Sequence, residues 1–110
     1  VVGSRDFTDY EFLARKLDTV KSKIGLVISG GADGADSLAD KWAKKNGKSI
    51  LTHYPDYDTY GRYEAPKRRN SKIAWDCEIM VAFQKNKSGG TKDAIDKARN
   101  LKKQVIVIEV

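Results

Sequence analysis

A three-layer α/β sandwich around a parallel five-stranded sheet is the fold this sequence predicts, and three observations predict it. Apolar runs recur at Val1-Val2, Leu26-Val27-Ile28, Ser49-Ile50-Leu51, Ile79-Met80-Val81-Ala82-Phe83 and Val105-Ile106-Val107-Ile108. The strongest are continuous rather than alternating, as strands buried on both faces require. Helical apolar stripes separate the runs, and two glycine-rich turns, Ser29-Gly30-Gly31 and Ser88-Gly89-Gly90, each sit between a strand and a helix.

The elements follow in order. The chain opens at Val1-Val2-Gly3, which reads as the end of a strand begun a few residues earlier, and nothing there resembles a signal peptide. Leu13, Leu17 and Val20 mark the first helix. Thr8 and Glu11 form its capping box, each able to satisfy a free amide, and Lys21, Lys23 and Gly25 mark its end. The second helix carries Ala35, Leu38, Ala39, Trp42 and Ala43 at spacings of three and four, and ends at Lys44, Lys45 and Gly47. After the third strand a long connection, from Tyr54 to Asn70, precedes a short third helix marked by Ile73, Ala74 and Cys77. Ala94, Ile95, Ala98 and Leu101 mark the fourth. Right-handed crossovers then give a Rossmann-like sheet in strand order 3-2-1-4-5, with helices on both faces and every βα turn at its carboxyl edge.

At 110 residues the chain has room for one domain, residues 1–110, with one main core. No apolar stretch approaches the roughly 20 residues that span a bilayer, so a membrane-spanning helix is excluded and the cytoplasm is the expected compartment. Cys77 is the one cysteine, which rules out an intrachain disulfide and a cysteine cluster for zinc. No metal and no cofactor is expected. The formal charge of +6 points to an anionic partner, either a nucleotide or a nucleic acid. A homo-oligomer is expected because a domain this small gains core by pairing.

Candidate chemistry concentrates at the predicted βα turns. Ser29-Gly30-Gly31-Ala32-Asp33-Gly34-Ala35-Asp36 leaves a strand and enters a helix, an arrangement that aims free backbone amides at an anion. Any one glycine is explained by a tight turn; three of them, with the second loop, point to anion binding. That second loop, Ser88-Gly89-Gly90-Thr91, also opens a helix, with Thr91 as its N-cap and the hydroxyl within reach of a ligand oxygen. Gly3-Ser4-Arg5 follows the first strand at the topological switch point, where open α/β sheets place ligands. Arg5 can clamp a phosphate bidentately or pair with Asp6 or Asp9, and Ser4 can donate a hydrogen bond.

In the long connection, tyrosines can stack on a base, while Arg69 and Asn70 are expected to open the third helix and face the same cleft. Lys67 and Arg68 are left to solvent. Asp36, in the first turn of its helix, can steady the dipole, cap a loop amide or bind a ribose hydroxyl. His53 reads as a strand-end residue and Cys77 as a buried helix residue.

Taken in order, GSRDFTDY, SGGADGADSLAD, YGRYEAPKRRN and SGGTKDAI resemble the YspA-type SLOG family, Rossmann-like proteins related to the LOG phosphoribohydrolases and to DprA. The resemblance covers nearly the whole chain, and four separated motifs in the expected order make it specific. It implies binding of nucleotides or nucleotide-derived signals, with cleavage in some members, at Gly3, Ser4, Arg5, Ser29, Gly30, Gly31, Gly34, Asp36, Arg69, Asn70, Gly90 and Thr91. Gly89 joins this ligand-binding set from its place in the second glycine loop. There are two departures. LOG enzymes carry PGGxGTxxE, whereas here the proline is missing and Ala94 holds the glutamate position; and the YspA-type loop reads GGARGAD, whereas Asp33 replaces the arginine here.

The expected function is a binding module for a nucleotide or nucleotide derivative, acting as a sensor or a sequestering protein. Compact SLOG domains resemble components of phage and bacterial conflict systems, which makes a signalling nucleotide the expected class. Two alternatives stand beside it: a nucleotide hydrolase, N-glycosidase or phosphohydrolase, with Asp36 or Glu64 as acid or base, and a DprA-like nucleic-acid binder using the tyrosine and arginine segment. Basic residues scattered over outer helix faces favour a small ligand over a continuous nucleic-acid track.

Overall fold

The computed structural model describes residues 1–85 and 89–110. Strands β1 (Val2–Gly3), β2 (Leu26–Ser29), β3 (Ser49–Thr52), β4 (Ile79–Gln84) and β5 (Gln104–Glu109) alternate with helices α1 (Tyr10–Asp18), α2 (Ala35–Lys45), α3 (Tyr57–Asp76) and α4 (Gly89–Asn100). Every strand pairing is parallel. The strands do not form the single five-stranded sheet expected from the alternation, however. They form a sheet of three, in order β1-β4-β5, and a separate sheet of two, β2-β3. β1 is described over Val2–Gly3 and pairs with β4, with Val2 opposite Ala82 and Gly3 opposite Phe83, whereas its contact with β2 falls short of a ladder. Its approach to β2 comes down to the Val1 nitrogen, which donates to the Ile28 carbonyl at 2.6 Å.

Burial on two faces explains the continuous apolar runs. On one face α1 and α2 close a core of Leu13, Leu17, Trp42 and Phe83 around Val27. On the other, Ile73, Ala74, Ile95 and Ala98 of α3 and α4 pack on Met80, Ala82 and Ile28. Neighbouring strand residues thus feed opposite cores, and neither face is left polar.

Several local expectations are corrected. The N-cap of α1 is Asp9, whose carboxylate accepts from Phe12 N at 3.1 Å, rather than Thr8. The helix stops at Asp18, so Val20 lies beyond it, and Lys21–Lys23 form a short 3₁₀ turn. The segment read as a long connection is mostly helix: Asp56 caps α3 by accepting from Thr59 N, and the chain breaks at Gly61 (φ 78°, ψ 178°) before the helix resumes. Pro66 lies inside the resumed helix, five residues past that break. Arg69 and Asn70 consequently sit inside α3 rather than at its start. Thr91 lies in the first turn of α4 instead of capping it.

Candidate functional site

The carboxyl ends of β1 and β4 are stitched together by Ser4. Its hydroxyl accepts from Lys85 N at 2.9 Å and lies 3.3 Å from the Lys85 carbonyl, to which it donates. Its own carbonyl accepts from Phe7 N and Ala35 N, which ties the start of α2 to the same turn. Gly34 makes this approach possible: it takes φ +75°, and a Cβ there would run into the Ser4 and Arg5 carbonyls. Gly3 serves the same contact from the other side, since a Cβ would sit 2.5 Å from that of Ala35.

Beside this junction lies a cleft of about 530 Å³, lined by Ser4, Arg5, Asp36, Arg69, Asn70 and Thr91, with Gly3 and Gly90 at its wall. Arg5 and Arg69 also line an adjoining lobe of about 320 Å³, which holds Gly30, Gly31, Asp33, Tyr54 and Tyr57. Three elements expected to meet, the turns after β1 and β2 and the start of α4, therefore do meet, together with the middle of α3.

Within the cleft the side chains divide into those spent on the fold and those left for a ligand. Asp36 is spent: its buried Oδ2 accepts from the amides of Gly30 at 3.1 Å and Ala32 at 3.3 Å. The glycine loop thus directs these two amides to its own helix rather than to an anion. Burial pushes the Asp36 carboxyl above its usual range, against the pull of nearby positive charge and of the two amides. Arg69 is also held. Its guanidinium donates to the Gly30 carbonyl and, from Nε, to Asn70 Oδ1 at 2.9 Å. Burial lowers its pKa while Asp36 raises it. Asn70 then reaches the start of α4, donating to the Gly90 carbonyl at 3.3 Å and to Asp93 at 3.0 Å.

Two groups remain. The Thr91 hydroxyl is buried and has no hydrogen-bond partner among the described residues, a costly condition for a polar group inside a protein. Arg5 is exposed at the mouth shared by both lobes and makes no ion pair or side-chain hydrogen bond among the described residues, so the alternative of a pairing with Asp6 or Asp9 is not realised. Asp6 instead pairs with Lys85 at 3.5 Å.

Other candidates lie elsewhere. Ser29 is fully buried and donates to Asp40 at 2.9 Å. Gly34 and Gly89 line neither lobe, and Ser88 lies outside the described residues. His53 shares a 2.6 Å hydrogen bond with Asp76, away from the cleft. Lys67 and Arg68 are exposed. Lys85, which lines the cleft, was not among the expected site residues. Its position directly after β4, at the carboxyl edge, was the available signal.

Comparisons agree with this architecture. The sequence model of the family described as "YspA, cpYpsA-related SLOG family" matches residues 1–60. The chain is 29% identical over 109 residues to the Gene 61 protein of Mycobacterium phage D29, covering 90% of this chain and 86% of that protein. Among solved structures, DNA processing protein A (DprA) from Streptococcus pneumoniae superposes with a TM-score of 0.81 at 18% identity. That likeness covers 96% of this chain and 48% of the DprA chain, so the chain spans about half of that protein's length. No helix among the described residues is long and apolar enough to cross a membrane.

Proposed function

Because the chain belongs to the YspA, cpYpsA-related SLOG family, we propose that it binds a phosphate-bearing, nucleotide-like small molecule in the two-lobed cleft. The observation that carries this reading is the Thr91 hydroxyl, buried without a partner in the first turn of α4. A phosphate oxygen placed there accepts from that hydroxyl and from first-turn amides, which have no partner within the helix. Arg5 then closes on the phosphate from the mouth with a charge-assisted pair of hydrogen bonds. The adjoining lobe takes the base, against Tyr54 and Tyr57.

Phosphate binding in this reading draws on α4 and Arg5, while the loop after β2 shapes the wall. Turnover is not part of it. Ala94 presents a methyl group to the cleft, and cleavage needs a carboxylate that stabilises an oxocarbenium-like transition state or activates water. Three acids line the two lobes, none of them at the position of Ala94: Asp36, whose Oδ2 is engaged by two amides, Asp6, which pairs with Lys85, and the exposed Asp33. A binder without turnover acts as a sensor or a sequestering protein. A relative in a mycobacterial phage supports the narrower reading, a signalling nucleotide of phage–host conflict.

Calorimetry paired with chromatography on a nucleotide panel tests the proposal. Saturable binding with recovery of intact ligand is expected. Release of free base that Asp36→Asn abolishes would replace the binder with a hydrolase.

A further inference from the structure

The charges around the two lobes balance. Among the described residues their walls carry the cations Arg5, Arg69 and Lys85 against the acids Asp6, Asp33 and Asp36, although the chain as a whole is formally +6. The excess positive charge therefore lies outside the cleft, which does not suit a ligand with several phosphates. Charge is also unevenly placed within it. Arg5 and Arg69 line both lobes, whereas Asp33, Tyr54 and Tyr57 line the second alone. Arg69 is held by the Gly30 carbonyl and Asn70, and Asp6 is paired with Lys85. Asp33 is exposed, with no ion pair or side-chain hydrogen bond among the described residues. The Tyr54 ring lies directly on the glycine loop, since a Cβ on Gly31 would come within 2.5 Å of its Cε1 atom. Two aromatic rings and an unengaged carboxylate thus line one small space. That combination suits a cation, because ring faces attract positive charge and the carboxylate supplies its counter-ion.

Resting on the reading of the first lobe as the phosphate site, we infer that the ligand is a nucleoside monophosphate whose base is itself positively charged, a ring quaternised at nitrogen such as an N-alkylated nucleobase or a pyridinium. Its phosphate sits on α4 and Arg5, and its ring lies on Tyr54 and Tyr57 with Asp33 as counter-ion. A phosphate monoester brings about −1.5 to −2 charges at pH 7, and the cationic ring offsets part of them, so the balanced cleft stays close to balance. A neutral base leaves Asp33 unmatched and the phosphate charge without that offset. A second phosphate reaching into this lobe meets the Asp33 carboxylate, a like charge.

Two matched pairs of ligands test this by calorimetry at neutral pH: oxidised and reduced nicotinamide mononucleotide for the pyridinium, and 1-methyladenosine and adenosine 5′-monophosphates for the alkylated base. Each pair keeps the phosphate and nearly the same ring size while the ring charge changes. At least one pair is expected to favour its cation by about tenfold or more, and that pair identifies the ring class. Asp33→Asn is expected to remove most of the preference, read as the affinity ratio within the pair, and Asp33→Glu to retain it. Equal affinity within both pairs overturns the inference and leaves the cleft reading intact, as does adenosine diphosphate binding more tightly than the monophosphate. A preference that Asp33→Asn leaves unchanged overturns the assignment of the counter-ion. Absence of binding by all four monophosphates removes the cleft reading as well.

Discussion

Asp36 accepts a hydrogen bond from the Gly30 amide at 3.1 Å, closing the glycine loop after β2 onto the first turn of its own helix. The same oxygen holds Ala32 N, and the Arg69 guanidinium takes the Gly30 carbonyl, so both sides of this loop are anchored before a ligand arrives. In the proposed reading, anion binding is left to the start of α4 and to Arg5.

Burial of this carboxyl makes stability depend on the Asp36 proton. The folded carboxyl has a raised pKa, so the native state binds the proton more tightly than the unfolded chain. Its contribution is full below the ordinary carboxylate range, at 3.8, and is lost as pH rises through the folded value. In Asp36→Asn that segment of the profile is expected to flatten. Chemical denaturation of both proteins across the pH range, taken as a difference, checks the sign; a difference that grows with rising pH in favour of the wild type would contradict it.

Gly34→Ala is expected to destabilise the fold by at least about 2 kcal/mol, since φ of +75° and the approach of the Ser4 and Arg5 carbonyls both exclude a Cβ. Denaturant unfolding measures it. Gly25→Ala, where a Cβ meets nothing within 4 Å, serves as the reference substitution and is expected to have a small effect.

Arg5→Ala is expected to weaken binding of phosphate-bearing ligands by about 1.5 to 3 kcal/mol, the range for a lost hydrogen bond to a charged group. Because Arg5 is exposed and unpaired among the described residues, its removal leaves the melting temperature nearly unchanged. Calorimetry and a thermal scan on the same preparation separate the two effects.

Much of this site was legible from residue order alone. A strand followed by Gly3-Ser4-Arg5, and a second glycine loop opening α4, imply neighbouring turns at one edge of a parallel sheet. What the order hides is competition for hydrogen bonds. Asp36 and Ser4 read as ligand contacts because their types suit a ligand, yet the nearest donors and acceptors belong to the chain itself. The helix through Tyr57–Asp76 was masked by Gly61 and Pro66, each a sign of a loop when read alone. Together they describe a kink and a restart. The split into β1-β4-β5 and β2-β3 is a matter of which strand edges complete a ladder, which an apolar run does not reveal.

The proposed phosphate site turns on the Thr91 hydroxyl, and Thr91→Val is its sharpest probe, because valine keeps the shape and removes the oxygen. A buried hydroxyl without a partner costs about 1 to 3 kcal/mol, so the variant is expected to match or exceed the wild type in stability. Titration of a nucleoside monophosphate into both proteins is then expected to show affinity reduced by about tenfold or more, the worth of one hydrogen bond to a charged oxygen. Equal affinity in Thr91→Val and the wild type would contradict the assignment of α4 as the phosphate site.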